Sequence, residues 1–241
     1  MWRYRVRCAI LFLVIAVSPA RADDLTDFNT LMEGVASHIR VAIDALKTGN
    51  ADLATLEIDR TRQSWGMLQQ HFGGRRPKMF ETNTHYKNIM TGVSARLVGA
   101  ELLLNAGRPD AAIDSLNKLR GDFYELRKSS GIVVLADCVR DADTAMDALM
   151  AYDGGALDFD KAETRADLAA KATDYGNTLK RCDGIASEAV HAEPEFRRLM
   201  DGAQASLALI PKAIAARAGD LLHRVLNELR SFDNLLASRF G

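Results

Sequence analysis

Six side chains that could act as soft metal ligands, Met32, Met67, His71, Met79, His85 and Met90, all fall in the first half of the chain. Thioether and imidazole donors together suit copper or haem iron. Met32, Met67, His71, His85 and Met90 are the ligand candidates if folding gathers them at one end of a helical unit. The plainer reading is that methionines at helical spacing fill a core, and that histidines beside loops are solvated. Cys138 and Cys182 stand 182 − 138 = 44 residues apart and match no Cys-x-x-Cys motif. In an oxidising compartment such an even pair reads as a disulfide, with two free buried thiols as the alternative. Closing a loop of that length is worth roughly 4 kcal/mol in the chain-entropy picture.

Other charged clusters carry less. Asp137, Asp141, Asp143 and Asp147, followed by Asp153, Asp158 and Asp160, lack the glycine and ligand order of an EF-hand and read as a solvated acidic face. Arg75, Arg76 and Lys78 read as a solvated basic loop. The chain contains no His-Glu-x-x-His, Gly-x-Ser-x-Gly or phosphate-cradling run. No residue is assigned a catalytic role, and the expectation is a protein that is not an enzyme.

The N-terminus points to a compartment. Arg3, Arg5 and Arg7 precede an apolar stretch from Ala9 to Val17, and Ala20-Arg21-Ala22 offers a small-x-small cleavage site. Residues 1–22 are therefore predicted to be a secretory signal peptide, and the mature protein to be periplasmic. Cys8 leaves with that segment. The apolar stretch is shorter than the roughly 20 residues that a spanning helix needs, so no integral membrane segment is expected after cleavage. Removing four arginines leaves 31 − 4 = 27 basic against 32 acidic residues, a net charge near −5. That balance argues against nucleic acid, whose binding depends on neutralising phosphates.

The elements that must position these residues are helical. Leu222, Val225, Leu226, Leu229, Phe232 and Leu236 recur at steps of three and four, an apolar stripe on one helix face. Glycine and proline breakers divide the chain into eight such segments. They are expected near 25–47, 52–71, 85–105 and from Pro109 on, then near 132–152, 160–182, 194–217 and 220–238. The segment from 194 carries Pro211 in its interior, which should free the carbonyl of Leu207 and kink the helix.

The two sets of four echo one another. Leu116-Asn117-Lys118-Leu119-Arg120 falls on Leu226-Asn227-Glu228-Leu229-Arg230 at an offset of 230 − 120 = 110, and Trp65-Gly66 falls on Tyr175-Gly176. Ala42-Ile43-Asp44-Ala45-Leu46 falls on Ala145-Met146-Asp147-Ala148-Leu149 at 147 − 44 = 103. The difference of seven residues is an insertion in the 151–158 connection. The pattern predicts an all-α protein of two related up-down-up-down four-helix bundles from an internal duplication, with domains at 23–130 and 131–241. The matched glycines, Gly66 with Gly176 and Gly92 with Gly202, are expected to serve close helix packing.

Helix order and length in each half resemble the cytochrome b562 and cytochrome c′ class of four-helix bundles. That resemblance implies a haem ligand near the start of the first helix, where Asp27-Phe28-Asn29-Thr30-Leu31-Met32 places Met32. It implies a second near the end of the fourth, where Leu119-Arg120-Gly121-Asp122-Phe123-Tyr124 places Tyr124 in the position of the family's histidine. Cys-x-x-Cys-His is absent. The resulting expectation is a non-catalytic periplasmic binding or accessory protein for a partner protein or small ligand, without a cofactor. The alternative is a copper or haem carrier using the Met/His set.

Overall fold

The computed structural model describes residues 20–154 and 158–241, and every regular element among them is helical. The chain runs through α1 (Ala20–Lys47), α2 (Ala51–Phe72), a single 3-10 turn (Lys78–Phe80), α3 (His85–Asn105) and α4 (Pro109–Lys128). It continues through α5 (Leu135–Met150), α6 (Ala162–Ile185), the one-turn α7 (Glu188–His191), α8 (Pro194–Leu207), α9 (Ile210–Ala215) and α10 (Gly219–Phe240). The signal segment lies outside the described residues except for the backbone of 20–22. No helix among the described residues is long and apolar enough to cross a membrane.

Local chemistry explains the boundaries. Gly49 and Gly107 adopt φ of 77° and 69°, which only glycine reaches without strain. There Asn50 N–H reaches back to the Ala45 carbonyl and Arg108 N–H to that of Leu103, closing both helix ends. The Asn50 side chain then accepts from Leu53 N–H and caps α2. Pro109 opens α4, where its missing N–H costs nothing.

Two separate cores result. In the first, α1 packs on α2 and α4, and α3 packs on the same two helices. Phe28, Trp65, Phe80 and Phe123 are its largest enclosed side chains. In the second, α5 packs on α6 and α10, and α8 packs on α6 and α10. Tyr175 and Phe196 anchor it, and the Cys138–Cys182 disulfide ties α5 to α6 inside it, with Cα atoms 5.3 Å apart.

Three expectations are corrected. The eight-helix scheme fails in the second half, where the 194–217 segment is two helices. The chain breaks after Leu207 because Pro211 donates no hydrogen bond, and Leu209 N–H turns back to Ser206 instead. The helix expected from Ile132 begins at Leu135; Val134 is extended, and Ile132 belongs to the first core. Of the four glycines expected to serve close packing, only Gly202 admits no side chain: a methyl group there would lie 2.6 Å from the Phe232 ring. Gly66 and Gly92 face open space.

Candidate functional site

The soft-ligand set is divided between two environments. Met32 and Met90 are enclosed in the first core, whereas Met67, His71, Met79 and His85 are exposed. The reason is the helix period. α2 turns Trp65, Leu68 and Phe72 inward and so leaves Met67 and His71 outside. The His71 ring is held by its Nδ1 at 2.9 Å from the Met67 carbonyl. Among the described residues, no group of three or more His, Cys, Asp or Glu side chains stands close enough to hold a metal ion.

A different set is brought together where the two cores meet. A cleft of about 660 Å³ lies between α1, α4, α5 and α10, within the size range of small-molecule sites. Arg40, Asp44 and Lys47 reach it from α1, and Arg120, Tyr124 and Arg127 from α4, each trio spaced i, i+4, i+7 along one helix face. Asp137, Arg140 and Asp143 face them from α5, and Ser238 and Gly241 from α10. Five cationic side chains thus meet three carboxylates, in a protein whose overall charge is slightly negative.

All three carboxylates are already engaged. Arg127 and Asp137, both almost wholly buried, form a two-pronged pair in which Nε donates to Oδ2 at 2.7 Å. Asp143 accepts from Arg230 at 3.0 Å, and Asp44 accepts from the Ser238 hydroxyl. Arg40 is also spoken for. It donates to the main-chain oxygen of Gly241 at 2.9 Å and to Glu33 at 2.6 Å. The expected solvated acidic face is corrected at Asp137, which is buried, and at Asp141, which accepts from the Tyr124 hydroxyl at 3.0 Å, whereas Asp147, Asp158 and Asp160 are exposed as expected.

Arg120 differs from Arg40 and Arg127 of the cleft. Among the described residues it has neither a hydrogen-bond nor an ion-pair partner. Burial lowers its pKa, repulsion from Arg40 and Arg140 acts in the same direction, and Asp44 and Asp143 offset this through space. Arg140 lies 4.6 Å above the Tyr124 ring and pairs with no carboxylate among the described residues. The Lys47 ammonium at the mouth is likewise without a partner there.

Compared with models of protein families, with curated proteins and with solved structures, the chain matches none.

A second concavity follows from the Pro211 break. Between α6 and the α8–α9 break lies a groove of about 810 Å³ floored by Ala172, Gly176, Leu207, Ile210 and Ile214. Leu207 lies 3.5 Å from where a Gly176 side chain would begin, an ordinary van der Waals distance.

The sequence pattern does not mark Arg40, Arg120 or Arg127 as site residues, and it places Asp137 on a solvated face. A signal was present in the i, i+4, i+7 runs of polar residues on α1 and α4, which lie beside the apolar stripe instead of opposite it. Such a second face is wasted on water and belongs against another element. Which element that is depends on contacts between residues some 200 positions apart, such as Arg40 with Gly241.

Proposed function

We propose that the protein is a non-catalytic periplasmic binding or accessory protein whose ligand site is the cleft between its two cores. In this reading residues 23–130 and 131–241 are two related up-down-up-down four-helix bundles that arose by duplication, and the seam between them is the part neither bundle needed alone. The observation that carries it is the cleft itself: a concavity of ligand size with walls locked by the Arg127–Asp137 and Arg40–Gly241 contacts, with Arg120, Arg140 and Lys47 left without a carboxylate partner among the described residues. Such a site is organised in advance, so little ordering cost opposes binding. The Cys138–Cys182 disulfide supports an oxidising compartment, as the signal-like N-terminus does.

Native mass spectrometry of protein recovered from a bacterial periplasm tests this reading. A co-purifying small molecule is expected, and it should be lost in Asn234→Trp, which places an indole at the cleft from an exposed position on α10. A bound molecule that survives this substitution would move the site elsewhere. The copper or haem carrier reading, with Met32, Met67, His71, His85 and Met90 as ligands, gains no support from side chains split between core and surface. Metal content and the visible spectrum of the same preparation check it.

A further inference from the structure

Resting on that reading of the cleft, we propose that its ligand is a small polyanion, a solute carrying two or more carboxylate or phosphate groups, gripped by Arg120 and Arg140 with Lys47 at the mouth. A guanidinium is charged at every physiological pH and presents a planar fork of donors that matches an oxyanion. Leaving one partly buried and unpartnered is costly, and here Arg40 and Arg140 add like-charge repulsion. An anion in the cleft relieves both at once.

The acids of the cleft do not take that role. Asp137 is held by Arg127, Asp143 by Arg230 and Asp44 by Ser238, so each carboxylate has a partner of its own and none is hydrogen-bonded to Arg120. The chain also contains the contrasting arrangement. Arg230, at the 110-residue offset from Arg120, is matched by Asp143, Asp147 and Asp233. At the corresponding offsets the first half carries Arg40 (143 − 40 = 103), Asp44 (147 − 44 = 103) and Phe123 (233 − 123 = 110). Two of the three acidic residues that surround Arg230 thus have no counterpart around Arg120, one replaced by a cation and one by a phenyl ring. A volume of about 660 Å³ exceeds what a lone inorganic ion fills and suits a molecule that bears several acidic groups.

Citrate and inorganic pyrophosphate serve as probes, each titrated calorimetrically into the full mature protein and compared with sodium chloride at matched ionic strength. Saturable binding of one probe per chain is expected, with Tm raised by about 5 °C or more at a hundredfold excess over Kd. Preference for one probe over the other separates carboxylate from phosphate chemistry. Arg120→Gln should weaken binding at least tenfold while leaving the Tm of the unliganded protein unchanged or higher, because the uncompensated charge is gone. Arg120→Lys, which keeps the charge but loses the fork, should fall between. Arg140→Gln, on an exposed side chain, gives the same test if Arg120→Gln does not fold, and Arg198→Gln, remote and exposed, should bind as the parent does. The proposal is overturned if neither probe exceeds the salt control, or if Arg120→Gln and Arg140→Gln bind like the parent. If the probes fail but a neutral co-purified molecule is expelled by Asn234→Trp, the cleft is the site and only its polyanion chemistry is wrong. If that molecule stays in place as well, both readings fall.

Discussion

Arg120 is the twelfth residue of α4 and Arg230 the twelfth of α10, yet the two guanidinium groups live in opposite company. Arg230 sits among Asp143, Asp147 and the fully buried Asp233. Arg120 has Arg40 and Arg140 beside it, and no carboxylate within hydrogen-bond reach among the described residues. The neighbouring cores differ to match. In the first, Trp65 stacks on Phe123 with ring centroids 6.0 Å apart. In the second, the positions 110 residues on hold Tyr175 and Asp233, joined by a 3.4 Å hydrogen bond. One half places a tyrosine and an aspartate at these two core positions and surrounds its arginine with acids. The other stacks two aromatic rings there and leaves its arginine facing the seam. The difference teaches that a similar helical frame can pair a charge internally or leave it facing a cleft.

The sharpest way to break this contrast is to remove the staple that only the second half has. Cys138→Ser with Cys182→Ser should cost roughly 4 kcal/mol for the closed loop of 44 residues. Hydrogen exchange should accelerate in α5 and α6 well before it does in α1–α4; uniform loss of protection would mean that the halves do not respond separately.

The glycine pair gives a smaller effect of opposite sign in the two halves. Gly202→Ala drives a methyl group into Phe232 and should destabilise by about 1–3 kcal/mol. Gly92→Ala meets open space, because Asp122 stands at the matching offset from Phe232 (232 − 122 = 110), and it should stabilise by about 0.4–1 kcal/mol. Urea denaturation of both variants measures the two signs.

The polar network should also make the stability of the second half depend on pH. Burial, reinforced by Asp143, raises the pKa of Asp233 well above the ordinary carboxylate range, with Arg230 and Tyr175 opposing. The folded chain therefore keeps a proton that the unfolded chain releases above its ordinary value of 3.8. The contribution of Asp233 to stability is complete below that value and is lost as pH rises toward the raised one. Asp233→Asn should flatten that part of the stability profile, measured as Tm from pH 4 upward; an unchanged slope would place the proton elsewhere.

The smallest difference lies at the turn before the last helix of each half. Gly107 and Arg217, 110 residues apart, both adopt left-handed backbone, with φ of 69° and 49°. Arg217→Gly should relieve strain worth about 1 kcal/mol. A small rise in the urea midpoint at unchanged slope checks it.

Much of the frame was legible in the sequence. The segment read as 85–105 is α3 with the same limits, because its apolar period is unbroken and Gly107-Arg108-Pro109 marks its end without ambiguity. The disulfide was legible as the pair Cys138 and Cys182 that remains once Cys8 is assigned to the signal segment. Misreadings arose where local and tertiary preferences compete. Ile132-Val133-Val134 reads as the apolar start of a helix, but Ile132 and Val134 are drawn onto the first core and the helix waits until Leu135. The Met/His set looked coherent in the linear chain, yet a one-residue step around α2 separates enclosed Leu68 from exposed Met67.

By itself the sequence determined the helical class, the positions of most breaks, the echo at 110 residues and the candidate pair Cys138 and Cys182. These depend on period, turn chemistry and composition, all of which act within one or two helical turns or follow from simple counting. Only the tertiary structure decided that Asp137 and Asp143 are engaged, that Gly202 and not Gly92 is closed by a ring, and that Arg120 faces a cleft without a partner. Each of those outcomes depends on which helix faces arrive at one place. For Arg40, Arg120 and Gly241, that is the contact between two cores made from opposite ends of the chain.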